Sequence, residues 1–179
     1  ARGVFSNEAG LGSSVIAHSA SETKEPVKQG LWGIFEVFFD TFIICTLTAL
    51  LVLTTFVSNG EIETFTASSS DAATSLAAFN ENFGVFGTVC FAIILPLFAF
   101  TTILGWNYYA ERCMEYLSNG SNLAVKIYRW IYIAAVFVGP YLTVSAVWTI
   151  ADIFNGLMAI PNIVALLALS GVIARTTRE

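Results

Sequence analysis

Two carboxylates, Glu36 and Asp40, stand four residues apart inside a long apolar stretch. Four residues make about one helical turn, so in a helix both side chains would lie on one face. Thr41, Thr48 and Thr55 fall on the same face, within an arc of roughly 140°. At membrane depth a central charge costs about 2.5–3.5 kcal/mol on insertion scales, so it needs a role. For either carboxylate the role is a cation site or proton relay, or a structural hydrogen-bond anchor to a neighbouring segment.

A second polar group follows a proline in another apolar stretch. Pro96 removes one backbone donor from a helix and exposes a carbonyl oxygen. Thr101 and Thr102 follow one to two turns later, just before Gly105-Trp106-Asn107. Hydroxyl and freed carbonyl oxygens are hard, neutral ligands that suit an alkali cation. The alternative is that each threonine bonds back to its own helix one turn earlier.

The segment from Gly3 to Ala20 is rich in small residues and too polar for an ordinary membrane span. Its first part would make a poor continuous helix, because it combines glycines with short polar side chains: Gly3, Gly10, Gly12, Ser6, Asn7, Glu8, Ser13 and Ser14. Irregular backbone at membrane depth is tolerated only where protein buries it or where it lines a cavity. In secondary transporters such broken helices form the substrate site, with half-helix N-termini meeting a carboxylate and freed carbonyls meeting the cation. The alternative is a surface loop, and the helix-like run to Ala20 argues against it.

Other chemistries find no support in the sequence. His18 is the only histidine, and a lone histidine near a helix end is left without a role. The cysteines are too few and too apolar in context for a disulfide framework or a metal site, and we interpret them as packing residues: Cys45, Cys90 and Cys113. No P-loop, zinc motif, nucleophile–base pair or basic patch is present. We therefore expect neither an enzyme nor a nucleic-acid-binding protein, and no cofactor.

The elements that carry these groups are membrane spans. Only 12% of the 179 residues are charged, whereas soluble domains carry roughly 25%. A helix needs about 20 apolar residues to cross a bilayer, and the stretches that meet this condition are 30–57, 83–117, 127–150 and 153–174. The segment 3–20 precedes them as a broken helix, and 58–82 is a polar loop in which 71–82 can form a short amphipathic helix. The sequence thus predicts an all-α polytopic protein of the lipid bilayer.

The charges give the orientation of these spans. An alternating path through the membrane puts seven basic residues on one side: Lys24, Lys28, Arg112, Lys126, Arg129, Arg175 and Arg178. The loop 58–82 and the turn near 149–152 lie on the other side and contain no Lys or Arg. The positive-inside rule makes the basic side cytoplasmic and the loop 58–82 extracellular. We expect a multi-pass protein of a cell membrane, inner or plasma.

Several long strings resemble one known family. They are RGVFSNEAGLGSSVIAHSA, PVKQGLWGIFEVFFDTFIICTLTALLVL, PLFAFTTILGWNYYAERC and DIFNGLMAIPNIVALLALSG, in that order along the chain. Together they resemble the alanine or glycine:cation symporters, also called sodium:alanine symporters, over nearly the whole chain except 58–82. One departure is Ser14-Val15, where the family pattern has a small residue followed by proline.

The resemblance implies an inverted-repeat (5+5) fold of the leucine-transporter type. Because the chain begins with Ala1 rather than Met, we expect a piece of a longer protein, namely most of the second repeat, starting within its broken helix. The first repeat, in the missing N-terminal half of the same protein, would complete the sites. The fragment alone should not transport.

The resemblance also implies an activity and the residues that perform it. The activity is symport of alanine or glycine with sodium, by alternating access. Substrate would be bound by Phe5, Ser6, Asn7, Gly10, Gly12 and Trp106. Sodium, the coupling ion, would be bound by Thr101 and Thr102, with Asp40 as a further candidate. The alternatives are a proton-coupled amino-acid transporter acting through Asp40 or Glu36, and a channel or sensor on the same fold.

Overall fold

The structure is a computed structural model and describes residues 6–60 and 72–178. Helices and turns make up this part of the chain. Within residues 6–60 and 72–178, four helical segments are long and apolar enough to cross a membrane: Pro26–Ser58, Ala72–Leu117, Asn122–Tyr141 and Val144–Thr176. The described residues therefore form a helical, multi-pass membrane protein, as the sequence predicts.

The first long segment contains more than one kind of helix. A short helix, α1, spans Ser14–His18, and α2 spans Pro26–Phe38. A π-helical turn then covers Phe39–Ile44, and α3 continues over Cys45–Ser58. The helix begins at Pro26, ahead of the apolar run at 30–57, because proline suits the first helical position, where its missing N–H costs no hydrogen bond.

The second long segment, α4, spans Ala72–Leu117 and is interrupted at Gly84, whose φ of 60° and ψ of −145° are not helical. The part before Gly84 forms the short helix expected over 71–82, although Asp71 itself lies outside the described residues. This short helix packs against the part of α4 after Gly84, because the rings of Phe79 and Phe91 are 5.4 Å apart. It also contacts α3, since the Asn82 amide donates to the Thr55 hydroxyl at 2.6 Å.

The last two spans meet at a different place from the one that hydropathy suggests. Helix α5 spans Asn122–Val138, a 3₁₀ turn covers Gly139–Tyr141, and α6 spans Val144–Thr176. The expected break at 149–152, and hence the bounds 127–150 and 153–174, were wrong. The interruption lies at Gly139–Tyr141 and Leu142 instead, and Thr143 caps α6 by accepting from Ala146 N at 3.4 Å.

These helices expose most of their large apolar side chains. Neither α5 nor α6 contains a buried residue, and among the described residues the buried apolar ones are Leu11, Val52 and Ala78. Such a surface would be unfavourable in water but matches lipid hydrocarbon and the faces of neighbouring membrane helices.

The chain forms two compact units. One contains the described residues of Ala1–Val37 and Gly105–Glu179, and the other is Phe38–Leu104. The first unit carries the broken segment and α6. The second carries the π-helical turn, α3 and the region of Thr101 and Thr102.

Candidate functional site

In the broken segment, three of the five residues from Glu8 to Gly12 have left-handed backbone. Ser6 and Asn7 are helical. Glu8, Gly10 and Gly12 then have φ values of 53°, 84° and 80°. Glycine adopts such angles without strain, whereas a residue with a Cβ such as Glu8 does so at a cost. Helical geometry returns only at Ser14, so the helix is broken where the glycines predicted it.

Local side-chain and backbone hydrogen bonds replace the missing helical ones inside this break. The Asn7 carboxamide oxygen accepts from Ala9 N at 3.0 Å, and the Glu8 carbonyl accepts from Leu11 N at 3.1 Å. The Ser13 hydroxyl donates to the Glu8 carboxylate at 2.8 Å, and Ser13 is only 3% exposed. Glu8, which had no role assigned from the sequence, therefore joins the two ends of the break through its side chain.

The last helix contacts the same break from outside. The Asn162 amide nitrogen of α6 donates to the Gly10 carbonyl at 3.0 Å, between residues 152 positions apart. Its oxygen lies so close to Gly12 that a Cβ there would be 2.8 Å away. Sequence reasoning missed Asn162. The available signal was a carboxamide directly after Pro161 within an apolar helix.

A cavity of about 530 Å³ adjoins the break. It is formed by the broken segment, α1, α4, α5 and α6, and its lining residues are Leu11, Gly12, Ser13, Ile16, Trp106, Tyr109, Ala110, Cys113, Met114, Tyr128, Met158, Pro161 and Asn162. Two of the predicted substrate residues, Gly12 and Trp106, thus share one cavity. Ser6, Asn7 and Gly10 belong to the break without lining it, and Phe5 lies outside the described residues.

A larger cleft, of about 710 Å³, lies beside α1 and the start of α2. There His18 Nε2 is 3.3 Å from the Glu36 carboxylate, and Gln29 Nε2 is 2.7 Å from His18 Nδ1. The Ser21 hydroxyl donates to the Gln29 oxygen at 3.1 Å, which turns the Gln29 NH₂ toward the imidazole. Glu36 therefore has the anchoring contact to the glycine-rich segment that was one of its two predicted roles.

Asp40 lies in the π-helical turn, in the second unit. The Cys45 N–H bonds to the Asp40 carbonyl, five residues back. A π-helical turn uses one residue more than an α-helical turn, which shifts the side chains beyond it by about 100°. This shift brings Thr48 and Thr55 closer in phase to Asp40, so the polar stripe predicted to run from Asp40 through Thr48 and Thr55 is not interrupted by the turn. Turns of this kind often mark functional positions in helices.

The paired threonines make the local bonds that were the alternative to cation binding. The Thr101 and Thr102 hydroxyls both donate to the Phe98 carbonyl, at 3.0 and 2.8 Å. A hydroxyl that donates its hydrogen keeps its oxygen lone pairs. Both oxygens thus remain able to act as ligands.

An ion pair fastens α4 to α5. Arg129 Nε and Nη2 donate to the two Glu111 carboxylate oxygens, at 2.7 and 2.9 Å. The Asn107 amide nitrogen adds a third bond to Glu111 at 2.8 Å. Glu111 is 8% exposed, so a buried carboxylate is paired in the two-pronged geometry that arginine favours. In the sequence analysis Arg129 served only to orient the spans, and its pairing with Glu111 was not predicted.

Broken backbone against a cavity, beside helices long and apolar enough to cross a bilayer, is a feature that secondary transporters use for their substrate sites. The sequence model of the Sodium:alanine symporter family matches residues 1–179, and the chain belongs to that family. This confirms the resemblance and places the chain among transporters rather than enzymes.

Several curated relatives are similar to the chain. An uncharacterized transporter of Haemophilus influenzae is 46% identical over 100% of this chain. The sodium/alanine symporter AgcS of Methanococcus maripaludis is 40% identical over 99%, and a sodium/proton-dependent alanine carrier protein of a Bacillus species is 34% identical over 94%. The chain spans 38%, 38% and 40% of their lengths. No solved structure is significantly similar to the chain.

Proposed function

We propose that the full protein containing this chain takes up a small neutral amino acid, alanine or glycine, together with sodium. The observation that carries the proposal is the broken segment whose Gly12 shares a cavity with Trp106, in a chain of the sodium:alanine symporter family. Transport would proceed by alternating access around this site.

The chemistry of the cavity supports a neutral substrate. Its volume of about 530 Å³ lies within the usual range of small-molecule sites. None of its described lining residues is charged. A charged substrate side chain would lose its hydration there without gaining a partner. A methyl group or a hydrogen has no such hydration to lose. The ammonium and carboxylate of the substrate would be met by backbone groups that the break frees from helical bonding.

Sodium would be bound by neutral oxygens and one carboxylate. The Thr101 and Thr102 oxygens keep lone pairs beside their bonds to Phe98, and Pro96 leaves the Ala92 carbonyl without its helical donor. Asp40, in the π-helical turn, is the candidate for the charged ligand. The relative named as a sodium/alanine symporter supports sodium as the coupling ion.

The fold proposed for the whole protein is an inverted repeat of the leucine-transporter type. The chain would supply the second repeat, from its broken helix onward, and the N-terminal half would supply the first. Support comes from the observed break ahead of the long spans and from relatives more than twice as long as the chain. The basic ends of the spans would face the cytoplasm.

Proton coupling is the second candidate, and a specific observation favours it. Asp40 is a carboxylate within a predicted span, where ionisable groups often relay protons. One relative is named as a sodium/proton-dependent alanine carrier. In this alternative Asp40 would carry the proton, whereas Glu36, paired with His18, would remain an anchor. A channel or sensor on the same fold is the third candidate.

One uptake experiment separates these candidates. The full-length protein is reconstituted in liposomes, and labelled alanine is followed with an inward sodium gradient at equal pH on both sides. We expect saturable accumulation above the external concentration. Uptake that is independent of sodium but driven by a pH gradient would show that protons are the coupling ion. Downhill flux without accumulation would indicate a channel. The Asp40→Asn variant should lose accumulation, while Asp152→Asn, on α6, serves as the matched carboxylate control.

A further inference from the structure

The broken segment is held by one hydrogen bond within itself and by one from another helix. From inside, the Ser13 hydroxyl closes onto the Glu8 carboxylate at 2.8 Å. From outside, the Asn162 amide of α6 donates to the Gly10 carbonyl at 3.0 Å. The inner bond spans five residues, and the outer one spans 152. Of these two bonds, only the outer one ties the break to another membrane helix.

The orientation of the Asn162 carboxamide follows from its partner. A carbonyl oxygen can only accept, so the amide nitrogen must face Gly10. The carboxamide oxygen then faces Gly12, where a Cβ would stand 2.8 Å from Oδ1 and 3.0 Å from Cγ. Real Cβ atoms do not approach an oxygen this closely, so a side chain at Gly12 would displace the Asn162 carboxamide from this position.

The two contacts fix different properties of the break. The hydrogen bond orients the carbonyl of a left-handed glycine whose φ is 84°. The steric contact sets how closely Gly12, also left-handed with φ of 80°, approaches α6. Asn162 itself lines the cavity with Gly12 and Trp106. One side chain thus contacts the broken segment at two left-handed glycines beside the cavity.

We infer that Asn162 is a positioning residue of the substrate site, which holds the Gly10–Gly12 backbone in the conformation that binds the amino acid. This inference rests on the proposed function. It adds a residue of the last helix to a site for which the sequence named only residues of the broken segment and α4.

The first test separates the hydrogen bond from the shape of the side chain. Asn162→Leu keeps nearly the same volume but removes the donor. We expect the KM for alanine in full-length protein to rise about tenfold, with the maximal rate per molecule in the membrane little changed, since one lost bond to a carbonyl is worth roughly this factor. Thr149→Val on the same helix removes only a bond to its own Ser145 carbonyl and should leave KM unchanged. An unaltered KM in Asn162→Leu, or a loss confined to the amount of folded protein, would overturn the assignment.

The second test does not depend on transport. Gly12→Ala introduces the clash with Asn162, and Asn162→Ala removes the two nearest atoms that it meets, Oδ1 and Cγ, while keeping Cβ at 3.3 Å. In thermal unfolding of the purified full-length protein, Gly12→Ala should lower Tm more in the wild-type background than in Asn162→Ala, because the two closest contacts are absent there. Additive effects would refute the contact. If wild-type protein takes up no amino acid, the proposed function fails, and this cycle still decides whether Asn162 holds the break.

Discussion

Arg129 and Glu111 form a two-pronged ion pair between α5 and α4, with nitrogen–oxygen distances of 2.7 and 2.9 Å. The glutamate is 8% exposed, and a third bond from Asn107 completes its partners among the described residues. A buried carboxylate needs such partners because it gives up its hydration.

We expect Arg129→Ala to lower the Tm of the full-length protein by several degrees, because it leaves the Glu111 carboxylate buried without its counter-charge. The control is Arg112→Ala. Arg112 pairs with Glu115 at 2.8 Å, but both side chains are about half exposed, so little should change. Adding Glu111→Leu to Arg129→Ala should recover part of the loss, since the unpaired charge is then gone. A smaller drop for Arg129→Ala than for Arg112→Ala would contradict this account.

The threonine pair makes a prediction about sodium. Thr101→Val and Thr102→Val each remove a hydroxyl oxygen while keeping the shape of the side chain. We expect each to raise the sodium concentration for half-maximal alanine uptake, by roughly five- to tenfold, and the double variant to raise it further. Thr54→Val is the matched control, because Thr54 makes the same kind of bond, to the Leu50 carbonyl at 2.6 Å. Unchanged sodium dependence in both single variants would remove the pair from the site.

Gly10 makes a prediction about backbone conformation. A side chain at Gly10 would not be crowded, because a Cβ there would meet no described atom within 4 Å. The constraint is the φ of 84°, which costs a residue with a Cβ about 1–2 kcal/mol. Gly10→Ala should therefore raise the KM for alanine severalfold, and Gly10→Leu should raise it at least as much. Gly30→Ala, inside α2 with equally open surroundings, should be neutral or stabilising. Normal alanine affinity in Gly10→Ala would refute the requirement for left-handed backbone.

The charge pattern makes a prediction about sidedness. Single cysteines at Asn59, after α3, and at Ser118, after α4, are introduced after the native cysteines have been replaced by alanine: Cys45, Cys90 and Cys113. On intact cells a membrane-impermeant maleimide should label the cysteine at 59 and not the one at 118, because the basic residues flank the latter turn. Labelling at 118 alone would show that the orientation is opposite to the predicted one.

The spans were predictable because hydropathy is a property of each local stretch. Apolar runs at 30–57 and 83–117 correspond to helical segments Pro26–Ser58 and Ala72–Leu117, with ends adjusted by Pro26 and by the break at Gly84. The junction before α6 was misplaced because Gly139-Pro140 lies in apolar sequence, where composition alone does not mark an interruption. The π-helical turn at Asp40 was also missed, since α-helical periodicity assumes a constant number of residues per turn.

The break beside Gly10 and Gly12 is what the sequence determined by itself. Clustered glycines and short polar residues cannot sustain a helix, and the family strings related that break to a substrate site. Tertiary structure alone decided what holds it. Asn162 lies 152 residues from Gly10, and Arg129 lies 18 from Glu111. Which residues become such partners depends on how the helices pack against one another. The spacing of residues along the chain does not show that packing.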